Sequence, residues 1–391
     1  MDINNDEEEN NTTTNKNTDI VSRIYRYLSK YDITWCKYLN IKNPYINPDN
    51  ELFSKKVPIY DKAAAKKYPE YEYVYDKLWV ANNQGLESGT LEELLKKKNA
   101  SKFPIFIKPR YGTNTARSVG CYKINSYSEL EYHKGKKEVM WSEFIDGKEE
   151  MTDFILWNGK IVYQLTYLYS ETQIEFVEIW KHIDNKTNPP KNIEKWVLTY
   201  MKNYSGIVNV QYRKNTIIEV SLRPARGGSY LKSSKNRNII NSINHLYDKN
   251  EWLMIPKDDM NFKPFYSFKC HTYLPILYIP PFFVLDTICD NYKTYDFNEY
   301  YFEKAGNKGC VFYQFYHDDF DTGLKCKNTI ESIFNLSQLI IYLLILFLIL
   351  ALYYKKNYFI IILSVFILIY LTRFINPISS NYSIWKTYIN S

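Results

Sequence analysis

Glycine is scarce in this chain, at 13 of 391 residues, and alanine is scarce too, while Tyr, Asn, Lys and Ile abound. Such a bias removes most of the weight that any single Asn or Lys would carry. Paired cysteines are also lacking. Cys36, Cys121, Cys270, Cys289, Cys310 and Cys326 form no CxxC and show no paired spacing. That excludes a zinc site and a disulfide framework and leaves reduced thiols as the expectation. The five histidines are scattered, and His317-Asp318-Asp319 reads better as a solvated loop than as a metal site. Strong net charge is missing: +7, spread along the chain, is too weak to argue for a nucleic-acid partner. Met1 to about Asp19 lacks apolar residues. This acidic, Asn/Thr-rich stretch predicts disorder and has no core for a signal peptide.

A chain of 391 residues has room for two folded units. Its best-organised stretch runs from Gly206 to Pro224. Val208, Val210 and Tyr212 alternate with Asn209, Gln211 and Arg213; Ile218, Val220 and Leu222 alternate with Glu219, Ser221 and Arg223. A period of two on both sides predicts two strands. A two-residue turn at Lys214-Asn215 would put Val210 opposite Glu219 and mix apolar with charged. A three-residue turn, Lys214 to Thr216, puts Gln211 opposite Glu219 and Asn209 opposite Ser221, with only Ile217 off the apolar face. Burial selects the second register. The other face then carries Asn209, Gln211, Glu219, Ser221 and Arg223. A carboxylate among neutral oxygen ligands suits Mg²⁺, and an adjacent arginine suits phosphate. The plainer alternative is a hairpin with one wet face.

Read in order, Ile20 to Leu39 has helical spacing and Asn40 to Tyr60 is Pro-rich loop. A helix starts at Asp76 and stops at Gly85, placing Lys77 in its first turn, where the helix dipole gives a cation no help. Phe103 to Pro109 is a short strand with Lys108 near its end. A polar loop follows to Gly120, then a strand over Cys121–Ile124 and a helix opened by Ser126. A lysine at a strand end beside a small-residue loop can cradle phosphates, although this loop is glycine-poor. Val139 to Glu150 is a strand running into an acidic turn, and Asp153 to Tyr163 is a hairpin with Asn158-Gly159 at its tip. Asn192 to Tyr204 has helical spacing, and Phe262 to about Phe315 reads as aromatic, mixed strand and loop.

In order and spacing these segments resemble the ATP-grasp family of ATP-dependent carboxylate ligases. The residues that carry the resemblance are Asp76-Lys77, Ile107-Lys108-Pro109, the loop to Gly120, Ser142-Glu143, Gly147-x-Glu149-x₃-Asp153, Gln211, and Glu219-x-Ser221-x-Arg223. They cover roughly residues 70 to 230. The resemblance implies an α+β fold, two α/β lobes around a nucleotide cleft, with ATP and Mg²⁺ as cofactors and a carboxylate as substrate. It implies that Lys77 and Lys108 hold the phosphates and that the loop from Gly112 to Gly120, with Ser118 in it, closes over them. Glu143, Phe144 and Ile145 would line the adenine pocket, and Glu149 would hold the ribose. Gln211, Glu219 and Ser221 would bind Mg²⁺, and Arg223 would steady the transferred phosphoryl group. The family commonly has Asn where this chain has Ser221, and more glycine in the loop. Those departures keep a second possibility open, an inactive nucleotide-binding scaffold. Taken singly, each residue also has a plain alternative as a surface lysine, a turn carboxylate or an ion-pair partner.

At the C-terminus, Leu339–Tyr354 and Tyr358–Leu371 are apolar runs split by Lys355-Lys356-Asn357. Each approaches the ~20 residues that span a bilayer, which predicts a membrane hairpin with lipid as a partner. Lys355 and Lys356 favour a cytosolic turn, whereas Lys325, Lys327, Arg373 and Lys386 outnumber them on the opposite side. ATP supply and reduced thiols also place the large domain in the cytosol. The expected divisions are a disordered tail over 1–19, a short helical segment over 20–70 and an ATP-grasp domain over 71–235. An aromatic-rich extension packed on it over 236–330, a transmembrane hairpin over 333–375 and a polar tail over 376–391 complete the chain.

Overall fold

Asp76, Ser126 and Asn158-Gly159 punctuate the chain as their chemistry requires. Asp76 caps a helix by accepting from the N–H groups of Leu78 and Trp79, Ser126 caps another through Glu129 N–H, and Asn158 and Gly159 both take positive φ at a hairpin tip. The computed structural model describes residues 53–96, 102–112, 120–169, 179–182, 188–225, 237–255, 265–272, 274, 282–297, 310–354 and 358–371. The chain divides into one compact unit over Asp49–Pro264 and another formed by Met1–Pro48 with Phe265–Ser391.

In the first unit, α1 (Asp61–Lys67) and a 3₁₀ turn (Pro69–Tyr75) lead into α2 (Lys77–Asn82), β1 (Ser88–Thr90) and α3 (Leu91–Lys96). Next come β2 (Ile105–Pro109), β3 (Tyr122–Ile124), α4 (Tyr127–Glu131) and β4 (Val139–Glu143). Strands β1 to β4 form an antiparallel sheet in the order β1-β4-β2-β3. Its core is Leu91, Leu94, Ile105, Ile107, Ile124, Leu130 and Trp141. The remaining elements are β5 (Glu149–Trp157), β6 (Lys160–Tyr169), β7 (Ile179–His182), α5 (Lys191–Tyr200), β8 (Gly206–Arg213), β9 (Thr216–Ser221) and α6 (Arg237–Lys249). Their strands run β7-β6-β5-β8-β9, all antiparallel. This sheet is covered on both faces. Ile155, Leu165 and Ile207 share a core with Ile239, Ile243 and Leu246 of α6. Phe154, Val208, Val210 and Val220 share another with Ile193 and Val197 of α5 and with Val74 and Val80.

The β8–β9 hairpin has the expected register, with Asn209 opposite Ser221 and Gln211 opposite Glu219. The turn corrects the expectation. It holds two residues, with Arg213 opposite Thr216, and a bulge between Gln211 and Tyr212 restores the pairing. The bulge inserts one residue and reverses the local alternation, so Ile217 lies opposite Tyr212 and is buried rather than off the apolar face. The second face is not wet either, since Asn209 and Ser221 are both buried. The divisions expected at 70/71 and 235/236 both fall inside this unit. Phe53, Val57 and Ile59, together with α6, contribute to its core.

In the second unit, β10 (Phe265–Thr272) precedes α7 (Phe282–Tyr292), a helix where strand and loop were expected. Then come β11 (Tyr295–Phe297) and β12 (Cys310–His317), both antiparallel, with β12 pairing to β10 as well as β11. Helix α8 (Phe320–Tyr353) begins well before residue 333. Asp319 caps it by accepting from Thr322 N–H at 2.8 Å; His317 ends β12, and Asp318 and Asp319 are the exposed connection between strand and helix, as the solvated-loop reading expects. Cys326, Ile330 and Phe334 are buried, and Phe334 stacks on Phe312 of β12. Beyond Gln338 most of the apolar side chains are exposed, among them Leu339, Ile340, Leu343, Leu346, Phe347, Ile349, Leu350 and Leu352, while Ile341 and Ala351 stay buried. Helix α9 (Tyr358–Leu371) folds back against α8. The expected N-terminal tail and helical segment through residue 52, the Lys355–Asn357 turn and the tail from residue 372 lie outside the described residues.

Candidate nucleotide and metal site

Lys77 is the first residue of α2, and its position is fixed from several sides. The Asp76 carboxylate that caps the helix also takes the Arg110 fork, Nε to Oδ1 at 2.9 Å and Nη2 to Oδ2 at 2.5 Å. Lys77 N–H donates to Arg110 O at 2.9 Å, tying α2 to the end of β2. The side chain, only 5% exposed, reaches Glu219 Oε1 at 3.3 Å. Lys108 arrives from β2, 8% exposed, and donates to Ile218 O at 2.7 Å. Lysines from two different elements thus converge on consecutive residues of β9.

That arrangement is electrostatically expensive. Burial first, and the neighbouring Lys77 charge second, lower the Lys108 pKa to about 8. The hydrogen bond to Ile218 O satisfies a donor but supplies no countercharge. Glu219 is the carboxylate both ammonium groups share. A polyanion would relieve the excess positive charge, which is what a triphosphate provides. Gly112 stands over Glu219: a Cβ there would lie 3.5 Å from Oε1. Ser118, within 113–119, lies outside the described residues, as do Arg226 and the glycines after it.

Glu149 and Arg213 are paired across β5 and β8, with Arg213 Nη2 3.1 Å from Glu149 Oε2. Burial pushes the Glu149 carboxyl up, and Arg213 pulls it back down. Glu143 ends β4 exposed; its Oε1 accepts from Glu87 N–H at 3.3 Å. Phe144 N–H donates to Pro104 O at 3.3 Å, so that group is committed to the small sheet. Ile145 O accepts from Arg213 Nη1 at 3.2 Å.

On the hairpin, Gln211 and Glu219 face each other and Asn209–Ser221 form the next inward pair. Asn209 Nδ2 donates to Asp153 Oδ1 at 2.5 Å, and Ala225 N–H donates to Asp153 Oδ2 at 2.8 Å. Asp153 therefore anchors both β8 and the chain leaving β9. Among the described residues no group of three or more His, Cys, Asp and Glu could hold a metal by itself. The donor set still fits Mg²⁺, which keeps waters and takes phosphate oxygens beside one or two protein oxygens; Glu219 and Gln211 are the residues that would supply those. Ser221, buried one pair further in, is the weakest of the three expected ligands. Arg223 Nε donates to Asp61 Oδ2 at 2.8 Å, which ties the Arg223 side chain to α1.

Two neighbours went unnoticed in the sequence. Asp61, the first residue of α1, pairs with Arg223. Cys121 lies within range of Lys77, Lys108, Glu219 and Glu149; burial raises its pKa while the two lysines lower it. Nothing in its local sequence marks it.

No protein-family model matches the chain, and no curated protein matches its sequence. Solved structures do resemble it. L-amino acid ligase from Bacillus licheniformis is 13% identical, with a TM-score of 0.46 over 70% of this chain and 75% of that one. Phosphoribosylamine–glycine ligase from Thermotoga maritima is 14% identical, with a TM-score of 0.47 over 68% and 76%. N5-carboxyaminoimidazole synthetase from Staphylococcus aureus, solved with ADP, is 13% identical, with a TM-score of 0.47 over 65% and 70%. Of the ATP-grasp positions named from the sequence, Lys77, Lys108, Gly112 and Glu219 meet in one place, with Gln211 across the hairpin. Glu149 joins them with Arg213 on its carboxylate, while Arg223 is engaged by Asp61.

Proposed function

We propose that the chain is a membrane-anchored, Mg-ATP-dependent ligase that activates a carboxylate as an acyl phosphate and joins it to an amine or a similar nucleophile. The observation that carries this reading is the convergence of two buried lysines on consecutive residues of β9, Lys77 on the Glu219 carboxylate and Lys108 on the Ile218 carbonyl. In it, Lys77 and Lys108 bind the β- and γ-phosphates and Glu149 binds the ribose. Glu219 and Gln211 hold Mg²⁺, which neutralises charge on the phosphates. A substrate carboxylate oxygen bonds to the γ-phosphorus as the bond to the ADP oxygen breaks. The nucleophile then adds to the acyl carbon, inorganic phosphate leaves and the nucleophile's proton passes to solvent. Positioning and charge neutralisation, rather than covalent help, carry most of such a reaction. Arg223 would steady the transferred phosphoryl group. The lipid reading rests on the apolar side chains of α8 that face outward from Leu339 onward. The cytosolic placement of the large domain rests on its need for ATP.

The second reading is an inactive, membrane-tethered nucleotide-binding scaffold. Its specific support is Ser221, a short, buried hydroxyl where a metal ligand was expected. One experiment separates the two: ADP release over a broad panel of carboxylates and amines by the wild-type chain, Glu219→Gln and Ser221→Asn. A ligase shows acceptor-dependent ADP release, a large loss in Glu219→Gln and retained or raised turnover in Ser221→Asn. ATP binding with no turnover in any of the three favours the scaffold, and no ATP binding refutes both.

A further inference from the structure

Arg213 ends β8 with its side chain 22% exposed. Its guanidinium spans two segments. Nη1 donates to Ile145 O at 3.2 Å, and Nη2 and Nε donate to Glu149 Oε2 at 3.1 and 3.4 Å. The intervening turn rests on the next residue: Gly147, at φ +115, comes so close to Lys214 that a Cβ would lie 3.0 Å from its Cε. The stretch from Ile145 to Glu149 is therefore clipped to the β8–β9 turn by two consecutive residues. A planar fork can hold a carbonyl and a carboxylate at once in one fixed geometry, and a lysine cannot.

We propose that Arg213 is a positioning residue for ribose recognition. By fixing the Glu149 carboxylate and the Ile145 carbonyl together, it makes the site select ribonucleotides over nucleotides lacking the ribose hydroxyls. The proposal rests on the ATP-binding reading above. Glu149 is buried, and burial, the largest influence, raises its pKa; the adjacent Arg213 charge and hydrogen bonds oppose that rise and fix the carboxylate through Oε2. The phosphate-binding Lys77 and Lys108 come from α2 and β2, so the triphosphate end of the site does not depend on the clip.

The test measures binding of ATP, 2′,3′-dideoxy-ATP and inorganic tripolyphosphate, each with Mg²⁺, to the detergent-solubilised full chain. Wild type should prefer ATP over dideoxy-ATP by about tenfold or more, the worth of two hydrogen bonds to a charged acceptor. Arg213→Met should bring that ratio close to one while tripolyphosphate affinity changes by less than about twofold. Arg213→Lys, which keeps the charge and loses the fork, should retain only part of the ratio. An undiminished ratio in either variant overturns the proposal. So does an equal loss of tripolyphosphate binding, which would mark Arg213 as merely structural. Wild type binding ATP and dideoxy-ATP alike overturns it while leaving the ATP reading intact; wild type binding no nucleotide at all overturns both.

Discussion

Lys108 carries a charge that its surroundings disfavour, and this has a definite pH signature. Its folded-state pKa is lowered from 10.5 to about 8, chiefly by burial. Across the window between those values the unfolded chain binds more protons than the folded one. Stability from this residue therefore rises with pH through the window, and below it the full cost of the buried charge is present. A bound polyanion favours the protonated lysine. ATP affinity should thus weaken as pH rises past about 8, and binding above that pH should take up protons. Calorimetry in two buffers of different ionisation enthalpy measures the uptake; none at pH 8.5 would contradict the assignment. Lys108→Met should weaken ATP binding by about 1.5–3 kcal/mol, roughly tenfold to a hundredfold, without lowering the melting temperature. Gly206 makes the opposite kind of demand. It sits at φ +150, and a Cβ there would come within 2.8 Å of the Tyr204 and Tyr247 hydroxyls. Gly206→Ala should cost about 2–3 kcal/mol, read from the urea midpoint.

The short helix α2 owes its placement to one carboxylate. Asp76 caps it and receives the Arg110 fork, so Asp76→Ala removes a cap and leaves an arginine without its partner. A loss of about 1–3 kcal/mol is expected in chemical denaturation, with weaker ATP binding because Lys77 is the next residue. Asp76→Asn, which can still cap, should recover part of the stability but not the ion pair. These start and stop signals were legible because they act over three or four residues: Asp76 with Gly85, Ser126, and Asn158-Gly159. The hairpin's register was legible from burial, but its turn was not. A bulge leaves no mark on the alternation except one misplaced apolar residue, Ile217, and that residue was the clue. Helix α7 was missed because its apolar sequence has no clear helical period, whereas the early start of α8 did carry a local signal, the Asp319 cap, that was passed over. The Arg213 clip and the Asp61–Arg223 pair join residues far apart in the chain, which no local pattern can show.

Taken as a whole, the chain separates into units at a place its composition does not mark. Cores on both faces of the β5–β9 strands draw in Phe53 to Ile59 and α6, so the first unit is larger than the motif-bearing stretch. In the second unit, α8 is two things along one axis. Through Ile341 it carries buried packing residues, and beyond that almost every side chain faces outward. The full chain should therefore remain with membranes after alkaline carbonate extraction, whereas a chain ending at Tyr342 should be released and keep its fold. Identical fractionation of the two would remove the anchor. Cutting earlier, before Phe334, should instead unfold the second unit, since Phe334 stacks on Phe312. The described part of α9, 14 residues or ~21 Å, is shorter than the ~30 Å hydrocarbon core.

The unbroken course of α8 makes it a ruler. No glycine or proline interrupts it after Gly323, so the residues seated on the strands and those facing outward belong to one stiff rod. In a bilayer, the height of those strands above the headgroups would be set by counting residues. Each one inserted near Tyr342 would lift them by ~1.5 Å and swing them ~100° about the rod, as a screw thread does. Elevation and compass bearing would change together, and neither could be adjusted alone.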